Sequence, residues 1–533
     1  MMQIVNNWQK TYQEIESKPL SRRAQNILLA IVIVIVLAIR LLTINTPSLK
    51  WTAWKEIDYL YISQNYWQHG FDFLHPEVGW PAEPPRVTEM EVPLVPFAAA
   101  ILYKLFGFSA YTARAVTFLA FMVMMIYTFK LAKRELGALA GILAAFVAGL
   151  LPLYHPFGKL LFTEPSMIAM SVVSLYYFAE WIDHERRKDW IFAFLAFTLT
   201  VSLKLESLYL FLPIAWIAFR KYGWDIKRYM NLVILVALAL ILPVIWYRYA
   251  YYLEETGAHL FGIFKGHNKS QTITMLSNLH WYRTMAGRVI NGILGGVYGT
   301  GLFLVGLVAA IRVRKGGLFF AYLAAVLIYF ALVAEGNIDA PYRQLPIIPV
   351  ASVFVALGAQ ALAALALLIF RNIRKGMSAI DSQPMVAWAC LALLLVIPVL
   401  RFRSIFMQDG PFYWDRWNAA QAVDGFANDQ TKLIVVGEYT KHVGGYDLSP
   451  VLFYYAGLQG WSLTPADWNM DKVDSLIKKG ATLFVLVPSF DDPTAVNYQP
   501  EVSSESFVNE VTAKYPVLYS DQGTVIIDLL HPK

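Results

Sequence analysis

Charge-free apolar runs recur along the whole chain, and they restrict the folds open to it more than any other feature. Residues 27–39 and 232–245 hold no ionisable side chain, and similar runs follow one another as far as residue 400. A helix needs about 20 apolar residues to cross the ~30 Å hydrocarbon layer. Runs of this kind suit lipid better than a soluble core. Composition agrees: 57% of the 533 residues are hydrophobic and only 15% are charged, against about a quarter charged in soluble domains. Scanning for such runs gives roughly eleven spans, centred near Val34, Phe121, Ala145, Val172, Leu195, Leu212, Val236, Val305, Leu327, Val355 and Leu393. The runs near Leu195 and Leu212 are short, with Lys204 and Glu206 between them. They read either as one broken helix or as two helices joined by a tight turn. The first run follows Ser21-Arg22-Arg23 like a signal peptide. No small-residue cleavage site follows it, so it reads as a retained span.

Basic residues fall in alternate loops. Arg22 and Arg23 begin the series, followed by Lys130, Lys133 and Arg134, then Arg186, Arg187 and Lys188. Arg220, Lys221, Lys227 and Arg228 come next, then Arg312, Arg314 and Lys315, and finally Arg371, Arg374 and Lys375. The positive-inside rule places all six groups in the cytoplasm. The expectation is a bacterial inner-membrane protein with a cytoplasmic N-terminus and an extracytoplasmic C-terminus. The net charge of +6 then reflects cytoplasmic loops and not nucleic-acid binding. The single cysteine, Cys390, lies in an apolar run, which excludes an internal disulfide and a thiolate zinc cluster.

The expected architecture is mainly α. A membrane domain covers 1–400, with a first external loop at 45–92 and an interfacial helix at 93–108. A soluble α/β domain covers 401–533. In that tail, 433–437 and 482–488 read as buried strands, 471–479 as a helix ending at Gly480, and 515–530 as two strands around Asp521-Gln522-Gly523. A tail of that length can fold alone. A further external segment at 249–288 is aromatic and mixed in charge. There is no short-period repeat and no low-complexity linker.

Charges beside a membrane are costly, about 2.5–3.5 kcal/mol at a helix centre on insertion scales, so they mark candidate sites. Trp54-Lys55-Glu56-Ile57-Asp58-Tyr59 opens the first external loop. A carboxylate there suits a general base acting on a hydroxyl; the plainer alternative is a pair of solvated loop acids. Glu164, in Phe162-Thr163-Glu164-Pro165, begins a span, where an acid also complements the helix dipole. Glu89 and Glu91 precede Val92-Pro93 and otherwise read as a loop turn. Lys204 and Arg343 are among the few external cations, and they have the chemistry to hold a phosphate. Arg343, beside Tyr342, also reads as an interface anchor. His155, His267 and His280 are scattered and read as polar surface groups. Asn268-Lys269-Ser270 fits a glycosylation acceptor, a pattern too common by chance to carry weight.

In order along the chain, these stretches resemble the GT-C superfamily of membrane glycosyltransferases. The similarity is to the protein O-mannosyltransferase and aminoarabinose-transferase-like branch, family 39 type. Glu56-Ile57-Asp58, with Ile62-Ser63-Gln64-Asn65-Tyr66 and Gly70, resembles the first acidic motif and the helix after it. Thr88-Glu89-Met90-Glu91-Val92-Pro93-Leu94 and Leu102-Tyr103-Lys104-Leu105-Phe106-Gly107 resemble the interfacial segment, with Ala113-Arg114-Ala115 following. Phe162-Thr163-Glu164-Pro165 resembles the second acidic motif, and Ser202-Leu203-Lys204 the lysine step. Tyr342-Arg343-Gln344-Leu345-Pro346-Ile347-Ile348-Pro349 resembles the late external motif. Tyr454-Tyr455 through Gly460-Trp461 resembles a feature of the tail. Relatives often carry adjacent acids in the first motif, whereas here Ile57 separates Glu56 from Asp58.

The resemblance implies an inverting transferase that moves a hexose or pentose from a polyprenyl-phosphate donor to an envelope lipid, glycan or protein. It implies Asp58, or else Glu56, as the base. Lys204 and Arg343, with Tyr342 and Glu91, would serve the donor and its phosphate. Glu164 would orient the acceptor or hold a cation. A divalent metal such as Mg²⁺ is one option for the acids, and no other cofactor is implied. Two other readings stay open: a transporter or flippase for lipid-linked sugars, and an inactive scaffold that binds glycan.

Overall fold

The computed structural model describes residues 2–17, 21–41, 53–258, 261–264, 272–373, 383–401, 414–436, 450–487 and 504–533. His267, the 268–270 sequon, Arg374 and Lys375 lie outside these ranges, as do residues 45–52 of the first loop and the ends of the strands read at 433–437 and 482–488. The chain groups into two compact units. One comprises residues 1–45, 114–248 and 268–408; the other comprises 46–113, 249–267 and 409–533.

The first unit is helical. Each of the eleven run centres lies in a helix. Among the described residues, four helices are long and apolar enough to cross a membrane unaided: Arg22–Leu41, Ala110–Leu136, Ile226–Thr256 and Pro341–Arg371. The last of these begins with a tighter 3-10 turn, Pro341–Ile347. A fifth candidate is the pair Leu279–Ile293 and Val297–Arg312, bent by 96°. Ala138–Leu150 has 13 residues, about 20 Å of helix, and nearly all of it is packed inside protein. Small residues permit that packing. A Cβ on Gly149 would stand 2.6 Å from Val36 Cγ1. Gly306 and Gly358 likewise press against the Phe354 and Leu302 carbonyls, where a Cβ would come within 1.7 and 1.9 Å. Without a hydrophobic drive between helices in lipid, such close backbone contact is a main source of association.

Between the two short runs the structure has two helices and a tight turn. Arg187–Leu203 ends where Lys204 turns extended (φ −159°, ψ 130°), a 3-10 turn covers Leu205–Leu210, and Phe211–Tyr222 follows.

At the other end of these helices the basic residues are partly neutralised. Arg134 bonds Glu180 at 3.0 Å and also pairs with Glu135 and Asp183. Arg220 reaches Glu135 at 2.6 Å, and Arg186 reaches Glu180 at 2.8 Å.

In the second unit, the tail forms a five-stranded sheet ordered β2-β1-β3-β5-β4. The strands are β1 Lys432–Val436, β2 Gln459–Ser462, β3 Leu483–Leu486, β4 Val517–Asp521 and β5 Thr524–Asp528. β1 runs parallel to β2 and β3, while β5 is antiparallel to β3 and β4. The β4–β5 turn falls on Gln522 and Gly523, both with positive φ, which suits a two-residue hairpin. Ile434, Phe484, Val473, Leu476, Val511 and Ile527 lie in the core. The helix read at 471–479 runs Met470–Lys478, with Asn469 capping Lys472 N–H.

The outer edge of β2 is covered by the first loop. Gly460 N–H donates to Trp80 O at 3.0 Å, and Ala82 N–H donates to Gly460 O at 3.1 Å. Trp80 stacks on Phe453, and Gln459 Nε2 donates to Gly79 O. The tail, read from the sequence as a domain of its own, thus packs together with 46–113, which the sequence assigns to the membrane part. The physical reason is the edge strand: unpaired N–H and C=O groups need partners, and residues 80–82 supply them.

Candidate functional site

In the first unit four charges form a chain. Glu164 stands in the first turn of the Thr163–His184 helix. Lys204 Nζ lies 3.1 Å from Glu164 Oε1 and 3.9 Å from Glu206 Oε1. Arg343 Nη1 lies 3.9 Å from that same Glu206 oxygen. The Glu164 side chain is 1% exposed and that of Lys204 12%, so water screens this pair little. Burial opposes the charge on Glu206, but Lys204 and Arg343 outweigh it, and its carboxyl is held below its ordinary value. Glu164 stands where an acid complements its own helix, and it is also the counter-ion of Lys204, a pairing the sequence did not indicate. Arg343, read also as an interface anchor, is brought into this chain of charges through Glu206.

Tyr342 lies in the Pro341–Ile347 turn and is buried. Its ring packs 5.7 Å from Phe162 and 6.0 Å from Phe157, which joins the start of the Glu164 helix to the turn carrying Arg343. His155 is buried, which corrects its reading as a surface group: it sits in the Tyr154–Phe157 turn. His280 is near Thr284 Oγ1 at 3.3 Å.

Sequence reasoning passed over Arg40. This side chain is 1% exposed. It donates to Tyr154 O at 2.9 Å, His155 O at 2.6 Å and Gly149 O at 3.3 Å, with its guanidinium 4.3 Å from the Phe121 ring centroid. It thereby ties the last turn of Ala138–Leu150, through Gly149 O, to the Tyr154–Phe157 turn that follows. A charge that ends an apolar run was the only signal in the sequence.

In the second unit Glu56 and Asp58 lie on the Ala53–Gln68 helix, 0% and 4% exposed. The solvated-loop reading of these acids is therefore corrected. Positions two apart on a helix point about 200° from each other, so the two carboxylates face different surroundings. Glu91 accepts from Tyr59 Oη at 2.7 Å. Glu89 accepts from Gly262 N–H at 2.5 Å and from Thr88 Oγ1 at 2.8 Å. Burial, Tyr454 and Asp58 together push the Tyr61 hydroxyl well above its ordinary value. Tyr61 meets Tyr454 edge-on at 5.2 Å, so the tail motif touches the helix that carries the acids. Among the described residues, no three or more His, Cys, Asp and Glu side chains gather as a metal-holding group.

Residues 86–247 match the family model described as dolichyl-phosphate-mannose-protein mannosyltransferase. The fold is similar to that of ArnT from Cupriavidus metallidurans bound to undecaprenyl phosphate. That likeness has a TM-score of 0.61 at 14% identity, covering 94% of this chain and 97% of that one. The apo form of ArnT from the same organism matches with a TM-score of 0.56 at 14% identity, over 89% and 93% of the two chains. No curated protein matches the sequence.

Proposed function

We propose that this chain is a membrane glycosyltransferase of the GT-C superfamily that moves a sugar from a polyprenyl-phosphate donor to a hydroxyl of a cell-envelope acceptor. The observation that carries this reading is the family match over 86–247. That stretch holds Glu89, Glu91, Glu164 and Lys204. The lipid phosphate borne by the ArnT neighbour supports the class of donor.

In this reading Asp58 takes the proton of the acceptor hydroxyl. The hydroxyl oxygen bonds to the anomeric carbon while the bond from that carbon to the phosphate oxygen breaks. The lipid phosphate leaves with the electron pair. Lys204 and Arg343 offset its charge, an electrostatic contribution that grows as water is excluded. Glu164, 3.1 Å from Lys204 Nζ, holds that side chain in place. The six basic groups support an inner-membrane location with the N-terminus in the cytoplasm and the tail outside. A membrane domain over 1–400 and a tail over 401–533 remain the working division of the sequence.

Reconstitution separates transfer from transport. Vesicles carrying the protein and a fluorescent polyprenyl-phosphate sugar are followed for new glycosidic product and for movement of donor between leaflets. Product without leaflet exchange supports the transferase. Exchange without product overturns it in favour of a flippase.

A further inference from the structure

Arg343 rests on a glycine. A Cβ built on Gly336 would stand 2.4 Å from Arg343 Nη1 and 3.0 Å from its Cζ. No side chain fits at 336 with the guanidinium where it is. The nearest atoms belong to the end of a flexible side chain, so a substitution would move Arg343 before it moved the backbone.

The backbone under that guanidinium is held from several sides. Gly336 lies in the short Ala334–Asp339 helix. Trp281 Nε1 donates to Ala334 O at 2.9 Å. Asn337 is fully buried, and its carbonyl accepts from Arg288 Nη1 at 2.8 Å and Gln344 Nε2 at 2.7 Å. Its side-chain Nδ2 donates to Val333 O at 2.9 Å. Trp281 lies on the Leu279–Gly287 helix, and Arg288 opens the wider π turn Arg288–Ile293. Turns of that kind are rare and occur often at functional sites. Gly295 and Gly296, both at positive φ, then break the chain before the Val297–Arg312 helix.

We propose that Gly336 is a positioning residue for the donor phosphate. Clamped by Trp281 and Arg288, it is a bare seat that sets how far the Arg343 guanidinium reaches toward Glu206 and a bound lipid phosphate. This rests on the reading of Arg343 as a phosphate ligand.

The test measures KM for a polyprenyl-phosphate sugar, KM for the acceptor and kcat, with undecaprenyl phosphate binding measured separately. The proteins are wild type, G336A, R343A and the double variant. A displaced charge-assisted contact raises donor KM and weakens undecaprenyl phosphate binding in G336A by about tenfold. Acceptor KM stays the same. G336A has no further effect in the R343A background, because it acts through Arg343. Wild-type donor KM in R343A defeats the underlying assignment. A raised donor KM in R343A with none in G336A defeats this inference alone, as does full additivity in the double variant. W281F removes the donor to Ala334 O and gives a second route if G336A folds poorly. It must move donor KM in the same direction, and an unchanged value counts against the seat.

Discussion

Lys204 and Glu164 form an ion pair at 3.1 Å across forty residues of chain, linking the break after one short helix to the first turn of another. Removing one member of a buried pair costs about 3–5 kcal/mol, whereas replacing both with apolar groups is often neutral. E164Q therefore lowers the thermal midpoint of the purified protein, and E164Q combined with K204M regains much of the loss. Unfolding followed by tryptophan fluorescence in one detergent checks this. A double variant that loses the sum of two single losses contradicts the pairing.

Glu206 makes a pH-dependent contribution. Its folded-state carboxyl is held below the ordinary value, burial being outweighed by Lys204 and Arg343. A depressed carboxylate adds stability above its unfolded pKa, about 4.3 for glutamate, and loses it as pH falls through the lower folded value. The stability gap between wild type and E206Q is thus full at neutral pH and closes on acidification below that range. Thermal midpoints of both proteins between neutral and acidic pH test the sign. A gap that widens on acidification contradicts it.

Arg40 holds three carbonyls with one planar fork. Lysine keeps the charge but cannot reproduce that geometry. R40M leaves a buried carbonyl cluster short of donors, at about 1–3 kcal/mol for each unsatisfied group. R40K recovers only part of the loss. The measurement is the thermal midpoint of each variant, and full recovery in R40K would show that charge alone matters.

Much of the helical part could be read from the sequence because apolar period and length carry it. The eleven run centres lie in helices, and the tail hairpin turns at Gln522-Gly523 as its residues indicate. The first loop was harder. Ala53–Gln68 buries Lys55, Glu56 and Asp58, and a helix with that many buried charges has no apolar stripe to announce it. Pairings across distance were also hidden. Glu206 meets Arg343 across 137 residues of chain (343 − 206), and no local pattern encodes such a contact. The covering of β2 by residues 80–82 depends on which edge of the sheet is left unpaired, which local patterning does not specify. Arg40 stands at the end of an apolar helix, and only its three carbonyl partners give its role.

Opposed directions on one helix make the two first-motif acids separable. If Asp58 is the base, D58N loses transfer while E56Q keeps most of it, because the Glu56 carboxylate faces elsewhere. Initial rates at saturating donor for both variants decide the matter. The reverse order moves the base to Glu56, and equal loss in both contradicts a single base on this helix.

The most direct test of the whole account is sugar transfer from radiolabelled polyprenyl-phosphate sugars to a native envelope extract, by purified wild type beside D58N. The account predicts transfer by wild type and a loss of about 10²–10⁴-fold in D58N, the range typical of a general base. Absence of transfer by wild type across a broad panel of donors would contradict it.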